Sequence, residues 1–154
     1  MPSLDQELKA FYDAVARADA ATDLEAGASL IHFPLSVTNV DEEGNVSFAE
    51  YTKENWSAGM KPRDGRSPAT PEKPMLIPQV IARVGNDVVF TQERHTISRG
   101  SQQQDIVAVS QLVRIGGSWA LKSVTRTTKR STANRFNPIL CCIFRVGCCW
   151  PGDV

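Results

Sequence analysis

Glu93-Arg94-His95 sets a carboxylate and an imidazole two residues apart inside a run of alternating β-type residues. Successive side chains leave a strand on opposite faces. Thr91, Glu93, His95 and Ile97 therefore share one face, and Phe90, Gln92, Arg94 and Thr96 share the other. A carboxylate beside an imidazole can orient the ring or raise its pKa, which makes an acid–base pair where that face lines a cavity. On an outward face the same pair is a solvated or intersubunit contact. The other histidine, His32, precedes Phe33-Pro34 where a helix gives way to a strand, and it is either a second proton carrier or a hydrogen-bonding group at a helix end. His95, Glu93 and His32 are the candidate catalytic residues.

Groups that could hold or polarise an oxygenated substrate are fewer. Tyr12, Tyr51 and Trp56 lie in segments with helical spacing and combine packing area with one polar atom each. Asp13 sits beside the same apolar stripe as Tyr12, as a buried acid or an exposed helix carboxylate. Gln111 alternates with Val107, Val109 and Val113, a polar group on an apolar face that needs a partner. Trp119, Leu121, Ser123 and Thr125 form another set on one side, with Lys122 and Arg126 opposite. Gln111 and Trp119 join Tyr12, Tyr51 and Trp56 as candidate substrate-binding residues. Two histidines 63 residues apart make no recognisable metal site. No phosphate-cradling glycine loop, nucleophile elbow or Walker-type lysine occurs, so neither metal nor cofactor is expected.

The elements that must position these groups are readable from pattern. Ser3 with Gln6 makes a weak capping box, and Leu4, Leu8, Phe11, Tyr12, Val15 and Ala18 then mark one face of a helix ending near Ala20. Thr22 or Asp23 caps a shorter helix, Leu24 to Leu30, which Pro34 brings to an end. Leu35 to Val40 alternates, an acidic turn follows (Asp41 to Asn45), and Val46-Ser47-Phe48 resumes as a hairpin. Ser47 could instead cap a third helix, Phe48 to Met60. Lys61 to Pro78 carries five prolines and reads as an extended connector or a lid. Gln79 to Val84 is a short strand. Three long strand-like runs complete the pattern, Val88 to Ser98, Asp105 to Ile115 and Trp119 to Thr128, each bounded by glycine-containing turns.

Helices first and a meander of long strands last predict an α+β fold, a curved antiparallel sheet wrapped on about three N-terminal helices and enclosing a pocket. The 154 residues suffice for one domain with its own core, and 42% apolar with 22% charged residues is ordinary globular composition. Seventeen basic residues balance seventeen acidic ones, which removes the electrostatic case for nucleic acid as a partner and leaves self-association unopposed. The N-terminus lacks a secretory pattern and no stretch matches a membrane span, so the cytoplasm is the default compartment.

All the cysteines, Cys141, Cys142, Cys148 and Cys149, lie in an apolar tail (131–154) set apart from the domain (1–130). The vicinal pairs do not have structural-zinc spacing. Lipidation there beside Lys129, Arg130 and Arg135 would make a two-signal membrane anchor; otherwise the tail packs on a partner or serves no domain function.

The order of elements, the Phe11-Tyr12-Asp13-Ala14 start, His32-Phe33-Pro34 and the closing strand Gly116-Gly117-Ser118-Trp119-Ala120-Leu121 together resemble the nuclear transport factor 2-like superfamily over roughly residues 3 to 130. The superfamily includes SnoaL-like polyketide cyclases, ketosteroid isomerases and scytalone dehydratases, and their catalytic motifs have no residue-by-residue match in this chain. The resemblance implies a cone-shaped fold, a homodimer and a small hydrophobic molecule as ligand. It also implies a cofactor-independent isomerase, cyclase or dehydratase, with His95 and Glu93, or His32, moving the proton. The alternatives are a non-catalytic ligand-binding or dimerisation module of the same fold, and a scaffold for the cysteine tail. Fold alone does not choose among them.

Overall fold

The computed structural model describes residues 1–60, 78–99 and 102–130; for 95–99, 102–104 and 128–130 only the backbone is described. Residues 61–77 of the Pro-rich connector and the cysteine tail singled out above lie outside the described residues.

Helix α1 (Leu4–Ala20) begins with the expected capping box: Gln6 N–H donates to Ser3 Oγ at 3.3 Å, and Ser3 N–H donates to Gln6 Oε1 at 2.8 Å. These bonds satisfy two helix-end donors. Its apolar stripe, Leu8, Phe11, Tyr12, Val15 and Ala18, is buried. Helix α2 (Leu24–Ser29) is capped by Asp23, whose side chain accepts from Ala26 N–H at 3.0 Å. Strand β1 (Ile31–Val40) follows at once and turns through Asp41, which accepts from the N–H groups of Glu43 and Asn45, into β2 (Val46–Tyr51). Helix α3 (Lys53–Met60) starts only after that strand, capped by Thr52. Both sequence readings of this region thus hold in part: the hairpin occupies its first half and a shorter helix the second.

Strands β3 (Gln79–Val84), β4 (Val88–Arg99), β5 (Gln102–Ile115) and β6 (Ser118–Arg130) complete one six-stranded sheet in the order β2-β1-β6-β5-β4-β3. Gly116 and Gly117, at φ 58° and 82°, form the two-residue turn between β5 and β6, a conformation that residues with a Cβ adopt poorly. Pairings are antiparallel except β1 with β6, which is parallel because the chain returns to β1 only after four further strands. Register shifts on β1, β3 and between β5 and β6 bend the open sheet.

The helices cover one face. Leu8, Phe11, Tyr12 and Val15 of α1 and Trp56 of α3 form a single core with Leu35, Val37, Val89, Ala108, Leu112, Leu121 and Val124 of the sheet. At the turn end of the sheet, Glu7 Oε2 accepts from Arg114 Nη2 at 2.6 Å and from Trp119 Nε1 at 2.9 Å, and Arg114 lies 4.7 Å over the Trp119 ring. That cluster fixes the first turns of α1 to the β5–β6 hairpin.

Candidate functional site

Alternation along strands β4, β5 and β6 brings polar side chains into this core. Thr91 and Glu93 of β4, Ser110 of β5 and Arg126 of β6 are all buried on the helix-covered face. Glu93 lies opposite Ala108, and Ala108 opposite Arg126. Adjacent strands are about 4.8 Å apart, so Glu93 and Arg126 flank the small Ala108 at roughly 10 Å between backbones, within reach of two long side chains. They interact electrostatically, as do Arg126 with Tyr51 and Glu93 with Tyr12.

Glu93 is 7% exposed, and its Oε2 has no hydrogen-bond partner among the described residues. Burial disfavours the carboxylate and pushes its pKa from 4.5 up to about 7, against the attraction of Arg126. Arg126 is equally enclosed; its Nη2 donates to Asn39 Oδ1 at 2.7 Å, and burial lowers its pKa. Tyr12 reaches across from α1 to Thr91, hydroxyl to hydroxyl at 2.9 Å, and burial raises its phenol pKa. Tyr51, half-buried at the end of β2, is also raised by burial. Trp56 is buried at 3% exposure, edge-on to Phe33, and its Nε1 has no acceptor among the described residues. An acid poised near neutrality and a buried cation thus share one otherwise apolar face of the sheet, with a buried indole donor elsewhere in the same core.

Of the residues expected from sequence, the structure brings Glu93, Tyr12 and Tyr51 together around the β4–β6 face, while Trp56 lies in the same core against Phe33 and Gly27. The structure separates the others. His32 is exposed on β1, on the opposite side from its buried neighbour Ile31. Gln111 does lie with Val107, Val109 and Val113, but the face they share is the outer one, since Ile106, Ala108, Ser110 and Leu112 take the core side. There Gln111 Oε1 accepts from Ser123 Oγ at 3.2 Å. Trp119 is held by Glu7 and stands seven residues along β6 from Arg126, roughly 20 Å away at strand rise. Asp13 pairs with Lys9 at 2.6 Å on the surface. His95 pairs with Ile106 across β4 and β5; its side chain, and with it the Glu93–His95 pair, lies outside the described residues.

Arg126 is the residue that sequence reasoning put on the wrong face. Between Gln111 and Leu112 the β5–β6 register slips, with Ser123 opposite Gln111 but Leu121 opposite Leu112, so Lys122 is an extra residue. One inserted residue inverts the alternation beyond it. Trp119 and Leu121 therefore share the core face with Val124 and Arg126, while Ser123 and Thr125 turn outward.

Among the described residues no three His, Cys, Asp or Glu side chains cluster to hold a metal ion, and no helix is long and apolar enough to cross a membrane. The sequence matches no family profile and no curated protein. Its fold is nonetheless shared with solved structures. An NTF2-like protein of unknown function from Shewanella oneidensis superposes at TM-score 0.56 with 13% identity, over 81% of this chain and 99% of that one. A second, from Shewanella baltica, gives 0.54 and 12% over 85% and 100%. A third, from Cytophaga hutchinsonii, gives 0.52 and 16% over 83% and 100%. The chain has the NTF2-like α+β fold. Similarity at this level extends to the fold alone, and activity has to be argued from the site.

Proposed function

We propose that the helix-covered face binds a small hydrophobic, oxygenated molecule and that Glu93 exchanges a proton with it, in a cofactor-independent isomerisation, cyclisation or dehydration of the SnoaL-like kind. One observation carries this reading: Glu93 is buried, titrates near neutrality, and has a carboxylate oxygen with no partner among the described residues. An acid with a pKa near ambient pH is present in both protonation states, which suits transfer in either direction. Trp56 Nε1, with no acceptor among the described residues, supplies a donor for a substrate oxygen, and the apolar surroundings strengthen such a bond.

A panel of cyclic and aryl ketones incubated with the protein in D2O tests it, with exchange of the α-protons followed by NMR. The wild type accelerates exchange on at least one ketone, and Glu93→Gln loses about 10²-fold or more of that rate. Equal rates with both proteins would leave the second reading, a non-catalytic ligand-binding module. Tyr12 favours that alternative, because its hydroxyl is already bonded to Thr91. The proposed homodimer would use the outer sheet face, where Phe48 is 80% exposed and Val107, Val109 and Val113 are only half-buried.

A further inference from the structure

The outer face of the sheet has no cover among the described residues, since α1, α2 and α3 all contribute to the core on the other side. One row of side chains shows its character. Phe48, Thr38, Thr125, Val109, Gln92 and Gln79 stand opposite one another across β2, β1, β6, β5, β4 and β3 in turn. None of them is charged. At the spacing of neighbouring strands the row runs about 24 Å. Val107 and Val113 extend the apolar ground to either side of Val109 along β5, and Phe48 is exposed at the β2 edge. Charge enters this face away from the row, as at Glu50 and Arg94. Apolar expanses larger than a few hundred Å² are rare on free surfaces and mark places where something docks.

The chain itself carries a matching segment. Within residues 139–150 the one charged side chain is Arg145, and all but Arg145 and Gly147 are apolar or thiol-bearing. Its attachment point suits the face. Strand β6 lies between β1 and β5 in the middle of the sheet and ends at Arg130. Thr125 is five residues back along it, roughly 17 Å at strand rise. Residues 131–138 can span roughly 26–29 Å when extended, so the segment reaches the row without strain. A tether of that length holds it over the face at about millimolar effective concentration. A second copy in dilute solution must instead give up its own translational and rotational freedom. We propose that residues 139–150 of the same chain cover the outer face of the sheet, and that they must leave before a second copy can pair there. The tail is then a built-in competitor of the homodimer contact, and its thiols are shielded while it is seated. The proposal is independent of the chemistry at Glu93, which lies on the other face.

All four cysteines lie in this tail, so thiol reactivity reads its position in the unmodified chain. The reduced full chain is treated with iodoacetamide in buffer and in concentrated urea, and alkyl groups are counted by intact mass. Alkylation in buffer should be at least about tenfold slower than in urea, and equally slow across a fiftyfold range of protein concentration. Val109→Glu puts a carboxylate beneath the seated tail and should speed native alkylation at least about fivefold. Phe48→Glu, at an exposed edge position, should do the same and decides the matter where circular dichroism shows Val109→Glu unfolded. Ala10→Glu, on the exposed side of α1, should leave the rate unchanged. Ile143→Asp with Phe144→Asp should unseat the tail and tighten dimerisation at least about tenfold in analytical ultracentrifugation. Native alkylation at the urea rate would overturn the proposal, as would protection that survives both face variants. Protection that disappears on dilution would make a second copy the cover and equally overturn it. A dimer no tighter in the tail double variant would contradict the competition.

Discussion

Glu93 owes its chemistry to its neighbours rather than to its type. An exposed glutamate on a strand is an ordinary surface acid; here burial opposite Ala108 moves its titration to near neutrality. Tyr12 shows the same dependence, because its hydroxyl sits in the core and has Thr91 to bond. Tyr12→Phe should strand the Thr91 hydroxyl and cost about 1–2 kcal/mol in urea denaturation, whereas Tyr12→Phe with Thr91→Val should recover most of that loss. A neutral single substitution would mean that the bond contributes nothing. Side-chain identity alone exposed Glu93, Tyr12, Tyr51 and Trp56 as candidates, since polar and aromatic groups within apolar periodicity stand out. Which face of β4 turns inward was not legible, because Phe90, Gln92 and Arg94 mix apolar and polar character much as Thr91 and Glu93 do. Arg126 was hidden for a different reason: no glycine or proline marks the extra residue at Lys122 that turns it into the core.

At the scale of elements, caps and apolar spacing specify α1, and alternation with glycine turns specifies β3 to β6. Long-range ties are invisible to such patterns. Glu7 gives no sign in sequence that it meets Arg114 and Trp119, more than a hundred residues away. Replacing Glu7 with Ala should destabilise the fold by about 1–2 kcal/mol, and a double-mutant cycle with Arg114→Ala should return a coupling of about 1 kcal/mol. Additive losses would show that the pair is not coupled. The junction of α2 with α3 gives a prediction of opposite sign to helix propensity. A Cβ at Gly27 would stand 3.0 Å from Trp56 Cη2. Glycine to alanine in a helix ordinarily gains up to about 1 kcal/mol, but here the indole must shift. Gly27→Ala should therefore lose stability and alter the tryptophan emission; a gain with unchanged emission would contradict the packing described.

For the whole molecule, the titration of Glu93 is coupled to folding. The folded pKa of Glu93 is raised above its unfolded value of 4.5, so the folded state binds the proton more tightly. Its contribution is fully present below pH 4.5 and lost as pH rises through about 7, a change of about 3 kcal/mol. Glu93→Gln cannot titrate. Chemical denaturation between pH 5 and 8 should show wild-type stability falling relative to this variant, and parallel profiles would contradict the assignment. The most direct measurement is a carbon-13 NMR titration of the Glu93 side-chain carboxyl in the full chain, assigned by its disappearance in Glu93→Gln. The account predicts a midpoint near 7. A midpoint at or below 4.5 would place an ordinary carboxylate there and contradict the site.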